Sequence, residues 1–191
     1  TTASGLLSNR IVGTATDGNN LFVASDFGLA TTPANLATPH FVTVAAVPSL
    51  SSMAQYNGKL VLAKDNGETL DFPVDVDPSR SRRAIPANWN RASVSTGARL
   101  ARLDRDLWLL SADGVQRAVA NQSEAIRFSP WGEARQSLTS NLISALSIDS
   151  QGRLWAGTFR NGIDVLAPSG VAAAHVESDS VREINSLVAD A

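Results

Sequence analysis

Short runs of apolar residues, broken by turns that contain Gly, Asn or Asp, follow one another along the whole chain. The clearest series begins with 143–148, continues with 154–158 and 163–166, and ends with 171–176. Each run has four to six residues, which is a typical strand length and too short for an amphipathic helix. The pattern predicts four short antiparallel strands in succession. Helix signals are weak elsewhere in the chain.

The same series recurs at a nearly constant interval. The copies align on a central leucine, with spacings of 39, 47 and 47 residues: Leu21, Leu60, Leu107 and Leu154. The glycine of the next turn recurs with spacings of 39, 47 and 48 residues: Gly28, Gly67, Gly114 and Gly162. Self-similarity of about 40–50 residues, built from short strands, marks the blades of a β-propeller. We therefore predict an all-β fold of four-stranded antiparallel blades.

The repeat predicts that residues 1–191 form one partial β-propeller. The predicted blades are approximately 5–48, 49–90, 91–136 and 137–181. The last eight residues, 184–191, match Ile143 to Ser150 and are predicted to be the first strand of a fifth blade. Four blades and one opening strand predict a fragment of a larger ring.

Composition narrows the class of protein. Hydrophobic residues make up 43% of the chain and charged residues 18%, as in soluble globular proteins. A net charge of −2 predicts no nucleic-acid partner, and no apolar run is long enough to predict membrane contact. The chain has no cysteine and only two histidines, His40 and His175, so the sequence predicts no disulfide, metal site or cofactor. The first residues carry no signal-peptide pattern.

Residues 138–166 resemble the two-component-regulator propeller repeat, whose pattern is approximately L-x-S-N-x-I-x-x-L-x-x-D-x-x-G-x-L-W-x-G-T-x-x-G-I. The matching positions are Leu138, Ser140, Asn141, Ile143, Leu146, Asp149, Gly152, Leu154, Trp155, Gly157, Thr158, Gly162 and Ile163. A partial echo in 7–29 keeps Leu7, Ser8, Asn9, Ile11, Asp17, Leu21, Gly28 and Leu29, with Phe22 in place of the tryptophan. The two middle copies keep little beyond the leucine and the hairpin glycine.

This resemblance implies an extracytoplasmic, ligand-binding sensor module of a two-component-type signalling protein. In that family, similar repeats form one or two seven-bladed propellers ahead of an Ig-like domain, a membrane helix and a cytoplasmic histidine kinase or cyclase. The ligands are often oligosaccharides. Related repeats also occur in secreted adhesin-like proteins. The resemblance implies a periplasmic or extracellular location and no enzymatic activity for this segment itself.

One stretch departs from the repeat frame and is the predicted ligand site. It contains Arg82, Arg83, Trp89 and Arg91, and an aromatic ring between guanidinium groups can stack on a sugar ring or bind an anionic substituent. The acidic half of the same stretch offers another interpretation, a solvated loop whose opposite charges pair.

Three recurring features have a structural and a functional interpretation. Asp149, Gly152 and Trp155 resemble an Asp-box, which we interpret as a turn whose carboxylate accepts backbone N–H bonds. Polar residues recur at one hairpin of each copy: Asp26, Asp65, Asp113 and Asn161. Together they would form a rim able to bind a cation or sugar hydroxyls. Hairpins favour the same residue types for structural reasons, which is the other interpretation. Trp131 is either a stacking surface or part of a core.

Signals for catalysis are few. The chain lacks a Gly-x-Ser-x-Gly elbow and a phosphate-binding loop. Asp104 and Asp106 alternate along a predicted strand, so they would share a face and form a weak candidate pair for glycoside chemistry. Three functions stay open: recognition of an oligosaccharide or other small ligand, polysaccharide cleavage as a lyase or glycosidase, and a scaffold that binds a protein partner or forms a homodimer.

Overall fold

The computed structural model describes residues 4–74, 98–103, 105–111, 114–119, 126–131, 138–181 and 183–188. Fifteen β-strands occur in these ranges, and the same ranges contain no α-helix. A membrane-spanning helix is accordingly absent from the part of the chain that the structure describes. The predicted all-β class is confirmed.

The strands form four antiparallel sheets, each built from consecutive strands. The first sheet has the order β1-β2-β3-β4 and contains Ile11–Thr16, Asn20–Ser25, Gly28–Pro33 and Val42–Ala46. The second has the order β5-β6-β7 and contains Leu50–Tyr56, Lys59–Lys64 and Thr69–Pro73. The third has the order β11-β10-β9-β8, where β8 to β11 are Arg99–Leu103, Asp106–Ser111, Gly114–Val119 and Arg127–Pro130. The fourth has the order β12-β13-β14-β15 and contains Ile143–Ile148, Leu154–Thr158, Ile163–Leu166 and Ala172–Val176.

The chain divides into two compact units, the first holding β1 to β7 and the second β9 to β15. Within each unit, two sheets pack on each other through their second strands. In the first unit, Phe22 and Ala24 share a core with Leu60 and Leu62. Side chains two residues apart on a strand face the same side, so the central leucine and its second neighbour pack towards the preceding sheet. This packing explains why a leucine recurs at this point of the repeat.

The second unit follows the same rule. Trp108 and Leu110 of β9 share a core with Leu154 and Ala156 of β13. The ring of Trp131 packs against this core from the end of β11. In each unit, the two sheets therefore pack face to face around apolar second strands.

The first strand of three sheets contains the same irregularity. Register shifts fall between Ile11 and Gly13 in β1, between Leu50 and Ser52 in β5, and in β12 between Ile143 and Ala145. Each shift leaves one extra residue, as in a β-bulge. In β5 and β12 that residue is a serine: Ser51 Oγ donates to the carbonyl of Ala63 at 3.1 Å, and Ser144 Oγ to that of Gly157 at 3.0 Å.

A backbone hydrogen bond joins the start of one repeat to a hairpin of the repeat before it. Leu50 N–H donates to the carbonyl of Asp26 at 3.2 Å, and Ala98 N–H donates to that of Asp65 at 3.4 Å. Near the end of the chain, Ile184 N–H donates to the carbonyl of Thr158 at 3.2 Å. Ile184, which aligns in sequence with Ile143 at the start of β12, thus bonds to the end of β13.

Some local predictions differ from the structure. Residues 183–188 contain no β-strand, although the N–H of Ile184 donates to the carbonyl of Thr158. The fourth strand predicted for the second sheet lies outside the described residues. Asp104 also lies outside them, so the predicted pairing with Asp106 stays a prediction; Asp106 is the first residue of β9.

The hairpin at Asn161-Gly162 is also wider than a two-residue turn. Thr158 N–H donates to the carbonyl of Gly162 at 2.9 Å, and only Gly162 of the pair has a positive φ, 67°. The two-residue turn with positive φ at both positions is instead at Asn57 (48°) and Gly58 (71°), between β5 and β6.

Candidate functional site

The predicted ligand site cannot be placed. Arg82, Arg83, Trp89 and Arg91 lie outside the described residues. Three clusters of charged and aromatic side chains lie in the described part of the second unit.

The first cluster is the turn between β12 and β13, where the Asp149 carboxylate is the centre of four hydrogen bonds. Its Oδ1 accepts the backbone N–H groups of Gln151 at 3.0 Å and Arg153 at 2.9 Å. Its Oδ2 accepts Trp155 Nε1–H at 2.9 Å and Arg153 Nε–H at 2.7 Å. The Trp155 hydrogen bond is the largest cause that holds the pKa of Asp149 well below its ordinary value, with the Arg153 bonds adding to it.

The Asp149 cluster therefore organises a turn. All four donors come from residues 151–155, and the Arg153 guanidinium lies 5.7 Å from the centroid of the Trp155 ring. The predicted structural role of this aspartate is confirmed. Asp17 is its counterpart in the first sheet and accepts the N–H groups of Asn19 at 2.8 Å and Asn20 at 2.6 Å.

The second cluster surrounds the two tryptophans of the third sheet. The rings of Trp108 and Trp131 meet edge to face, with centroids 5.3 Å apart and an interplanar angle of 82°. Arg117 lies 5.8 Å from the centroid of the Trp108 ring and forms an ion pair of 2.7 Å with Asp106. Because Trp108 is buried and Trp131 packs on the same core, the structure favours the core interpretation of Trp131.

The third cluster was not singled out from the sequence. Asp164 on β14 is 2% exposed, and it faces His175 across the sheet in the β14–β15 register. His175 Nδ1 lies 2.8 Å from Asp164 Oδ1, while Asp164 Oδ2 accepts both N–H and O–H of Thr139 at 2.9 Å. His175 Nε2 lies 3.4 Å from Glu177 Oε2. Residues distant in sequence make these contacts, so strand spacing alone gave no signal for them.

The geometry of these clusters does not fit Ser-His-Asp catalysis or metal binding. Ser-His-Asp catalysis needs a hydroxyl on the second imidazole nitrogen, but Nε2 of His175 faces a carboxylate. In the described ranges no three His, Cys, Asp or Glu side chains are placed to hold a metal ion. Asp26, Asp65 and Asn161 lie at the predicted hairpins, whereas Asp113 is outside the described residues.

Comparison with protein families identifies the repeat. Residues 137–160 match the family described as two component regulator propeller. This stretch is therefore similar to a two-component-regulator propeller repeat. Two positions of that repeat have visible counterparts in the first sheet: Ser140 Oγ accepts the N–H of Leu142 at 3.2 Å, as Ser8 Oγ accepts the N–H of Arg10 at 3.1 Å.

Solved structures with the same fold extend this similarity over nearly the whole chain. The extracellular domain of the hybrid two-component system BT3049 from B. thetaiotaomicron matches 97% of this chain with a TM-score of 0.65 and 14% identity. The extracellular domain of the hybrid two-component system BT4673 from the same organism matches 94% with a TM-score of 0.59 and 16% identity. This chain spans 25% and 24% of those two chains.

An enzyme is also among the similar structures. A gluconolactonase from Xanthomonas campestris matches 92% of this chain and 64% of its own, with a TM-score of 0.51 and 13% identity. A search of curated proteins finds no match. Together, the propeller repeat and the structural similarity show that the chain has the β-propeller fold.

Proposed function

We propose that this chain is part of an extracytoplasmic sensor propeller that recognises a carbohydrate-like ligand. The observation that carries the proposal is the propeller repeat at 137–160 within a fold that matches extracellular domains of two-component systems over more than nine-tenths of the chain. We extend to this chain the extracellular location of those domains. The output domain of the whole protein, a histidine kinase or cyclase, belongs to the same proposal.

The architecture supports recognition more than catalysis. Hydrogen-bonded sheets provide a rigid frame, and loops on such a frame can vary in sequence without loss of the fold. The stretch that varies most from the repeat carries Arg82, Arg83, Trp89 and Arg91, which we propose as ligand contacts. Among the described residues, the His175 imidazole bonds to Asp164 across the β14–β15 pair and so holds strands together.

A ligand screen tests this proposal. Glycan-array binding followed by thermal-shift titration with each hit is expected to give a saturable increase in the melting temperature. The Arg82→Ala/Trp89→Ala double variant is expected to lose that increase, while Arg10→Ala, an exposed arginine on the first sheet, keeps it. An unchanged response in the double variant would remove Arg82 and Trp89 from the site.

The rival functions give different results in the same preparation. A polysaccharide lyase or glycosidase would release unsaturated products or reducing ends on incubation with plant or microbial polysaccharides. A scaffold would retain a protein partner or a second copy in pull-down and would show no response to glycans. Either outcome, without ligand-induced stabilisation, would overturn the sensor proposal.

A further inference from the structure

The Asp164 cluster joins three separate parts of the fourth sheet. Thr139 belongs to the segment before β12, Asp164 lies on β14 and His175 on β15. The other residues of β15 are alanine and valine, so His175 is the one side chain of this strand that can form a hydrogen bond. Asp164 thus links β15, at one edge of the sheet, to the segment that leads into β12 at the other edge.

The geometry around His175 uses both ring nitrogens. Nδ1 must carry a proton to donate to the buried Asp164 carboxylate at 2.8 Å. Nε2 faces the Glu177 carboxylate at 3.4 Å, an arrangement that is attractive only if this nitrogen is protonated too. Only the imidazolium form has two N–H groups, whereas a neutral ring presents a lone pair to one of the two carboxylates.

The titratable groups that face His175 among the described residues are both acidic. Asp164 approaches from β14 and Glu177 from the residues after β15. The hydrogen bond with Asp164 is the largest cause that raises the pKa of His175 above its ordinary value of 6.5. Burial opposes it as the next largest effect, and the bond with Glu177 adds to the rise in pKa. A raised folded-state pKa stabilises the fold fully below about pH 6.5, and that contribution disappears as the pH rises through the folded-state value.

We propose that Thr139, Asp164 and His175 form a pH-sensitive latch that mild acid closes and mild alkali loosens, tying β15 to the segment before β12. The latch does not depend on the ligand proposed above, because none of its residues belongs to the proposed ligand site. In an extracytoplasmic propeller, this latch would make the stability of the β15 edge of the fourth sheet depend on the pH of the surroundings.

NMR titration of the 191-residue chain tests the latch directly. The chain has two histidines, so the variants His40→Gln and His175→Gln assign both imidazole resonances. We expect His175 to titrate with a midpoint above 6.5, and the Thr139 amide proton to shift with the same midpoint because both groups share Asp164. The Thr139 shift should vanish in His175→Gln and persist in His40→Gln.

Thermal unfolding gives a second, independent readout. The melting temperature of the unaltered chain should exceed that of His175→Gln most at about pH 5.5–6, and the gap should narrow towards about pH 8.5. The Asp164→Asn variant should lower the His175 midpoint; if that variant does not fold, the His175→Gln series still decides. A Thr139 amide that is insensitive to His175, or a His175 midpoint at or below 6.5, would overturn the proposal.

Discussion

Ile184 packs directly against the backbone of Gly157. A Cβ at position 157 would come within 2.8 Å of the Ile184 Cβ and would also meet its Cγ2. The neighbouring residue Thr158 accepts the N–H of Ile184 at 3.2 Å, as Asp26 accepts that of Leu50 in the first unit. The glycine of the propeller repeat therefore leaves the space in which the start of the following repeat lies.

Replacement of Gly157 by alanine tests this packing. The new methyl group has no room unless Ile184 moves, so we expect Gly157→Ala to destabilise the chain by about 1–3 kcal/mol. Urea denaturation monitored by tryptophan fluorescence measures the change. The double variant Gly157→Ala/Ile184→Ala should be less destabilised than the sum of the two single variants, because the smaller side chain restores the space. Strict additivity would show that the two residues do not share it.

The architecture was predictable because its causes are local and repeated. Leu60 and Leu154, two of the central leucines, pack on the preceding sheet of their own unit and are almost fully buried. The structural role of Asp149 was predictable as well, since all its donors lie within six residues. Short-range hydrogen bonds and the alternation of side chains along a strand can be predicted from the spacing of residues in the sequence.

Features that depend on distant residues were not predictable. The Asp164–Thr139 bond spans 25 residues, and no spacing rule connects those positions. Even a local feature can differ from its usual pattern: Asn-Gly favours a two-residue turn, but the Thr158 side chain bonds within the Asn161-Gly162 loop and favours a wider one. The ligand site stays a prediction, because the residues that define it lie in the variable stretch rather than in the repeat.

The bulge serines of β5 and β12 are expected to contribute to stability. Ser144→Ala removes the bond to the Gly157 carbonyl. Ser51→Ala removes a hydroxyl whose one proton is shared between the carbonyls of Ala98, at 2.6 Å, and Ala63, at 3.1 Å. We expect each to cost about 0.5–1.5 kcal/mol, with the larger loss for Ser51 because its hydroxyl ties a residue 47 positions later. Chemical denaturation compares them with Ser150→Ala, an exposed turn serine expected to be neutral. If all three variants had equal and negligible effects on the free energy of unfolding, the bulge hydroxyls would not stabilise the sheets.

Thr158 fixes the hairpin between β13 and β14 from a fully buried position. Its Oγ1 donates to the carbonyl of Gly162 at 3.0 Å and accepts the N–H of Asn161 at 2.7 Å. Thr158→Val keeps the shape but removes both bonds, so we expect a loss of about 1–3 kcal/mol in unfolding free energy. Thr158→Ser retains the hydroxyl and should recover most of the hydrogen-bond contribution. If valine and serine proved equivalent in denaturation, the hydroxyl would have no part in holding the hairpin.

Asp149 should make the fourth sheet sensitive to acid. Because hydrogen bonds, above all that from Trp155, hold its folded-state pKa below the ordinary value of 3.8, the ionised carboxylate stabilises the fold above about pH 4. This contribution is lost as the pH falls through the folded-state pKa. Asp149→Asn removes the charge at every pH, so the melting temperature of the unaltered chain should exceed that of the variant at pH 7, and the gap should narrow with acidification below about pH 4.

Two comparisons make the Asp149 result specific. Trp155→Phe keeps most of the ring but removes the Nε1–H donor, so it should reduce the difference between neutral and acid stability without abolishing it. Asp65→Asn changes an exposed aspartate at another hairpin and serves as the control for loss of one negative charge. Differential scanning fluorimetry from pH 2.5 to 7 measures all three variants. If Asp149→Asn and Asp65→Asn gave the same pH profile, the hydrogen bonds in the turn would contribute nothing beyond net charge.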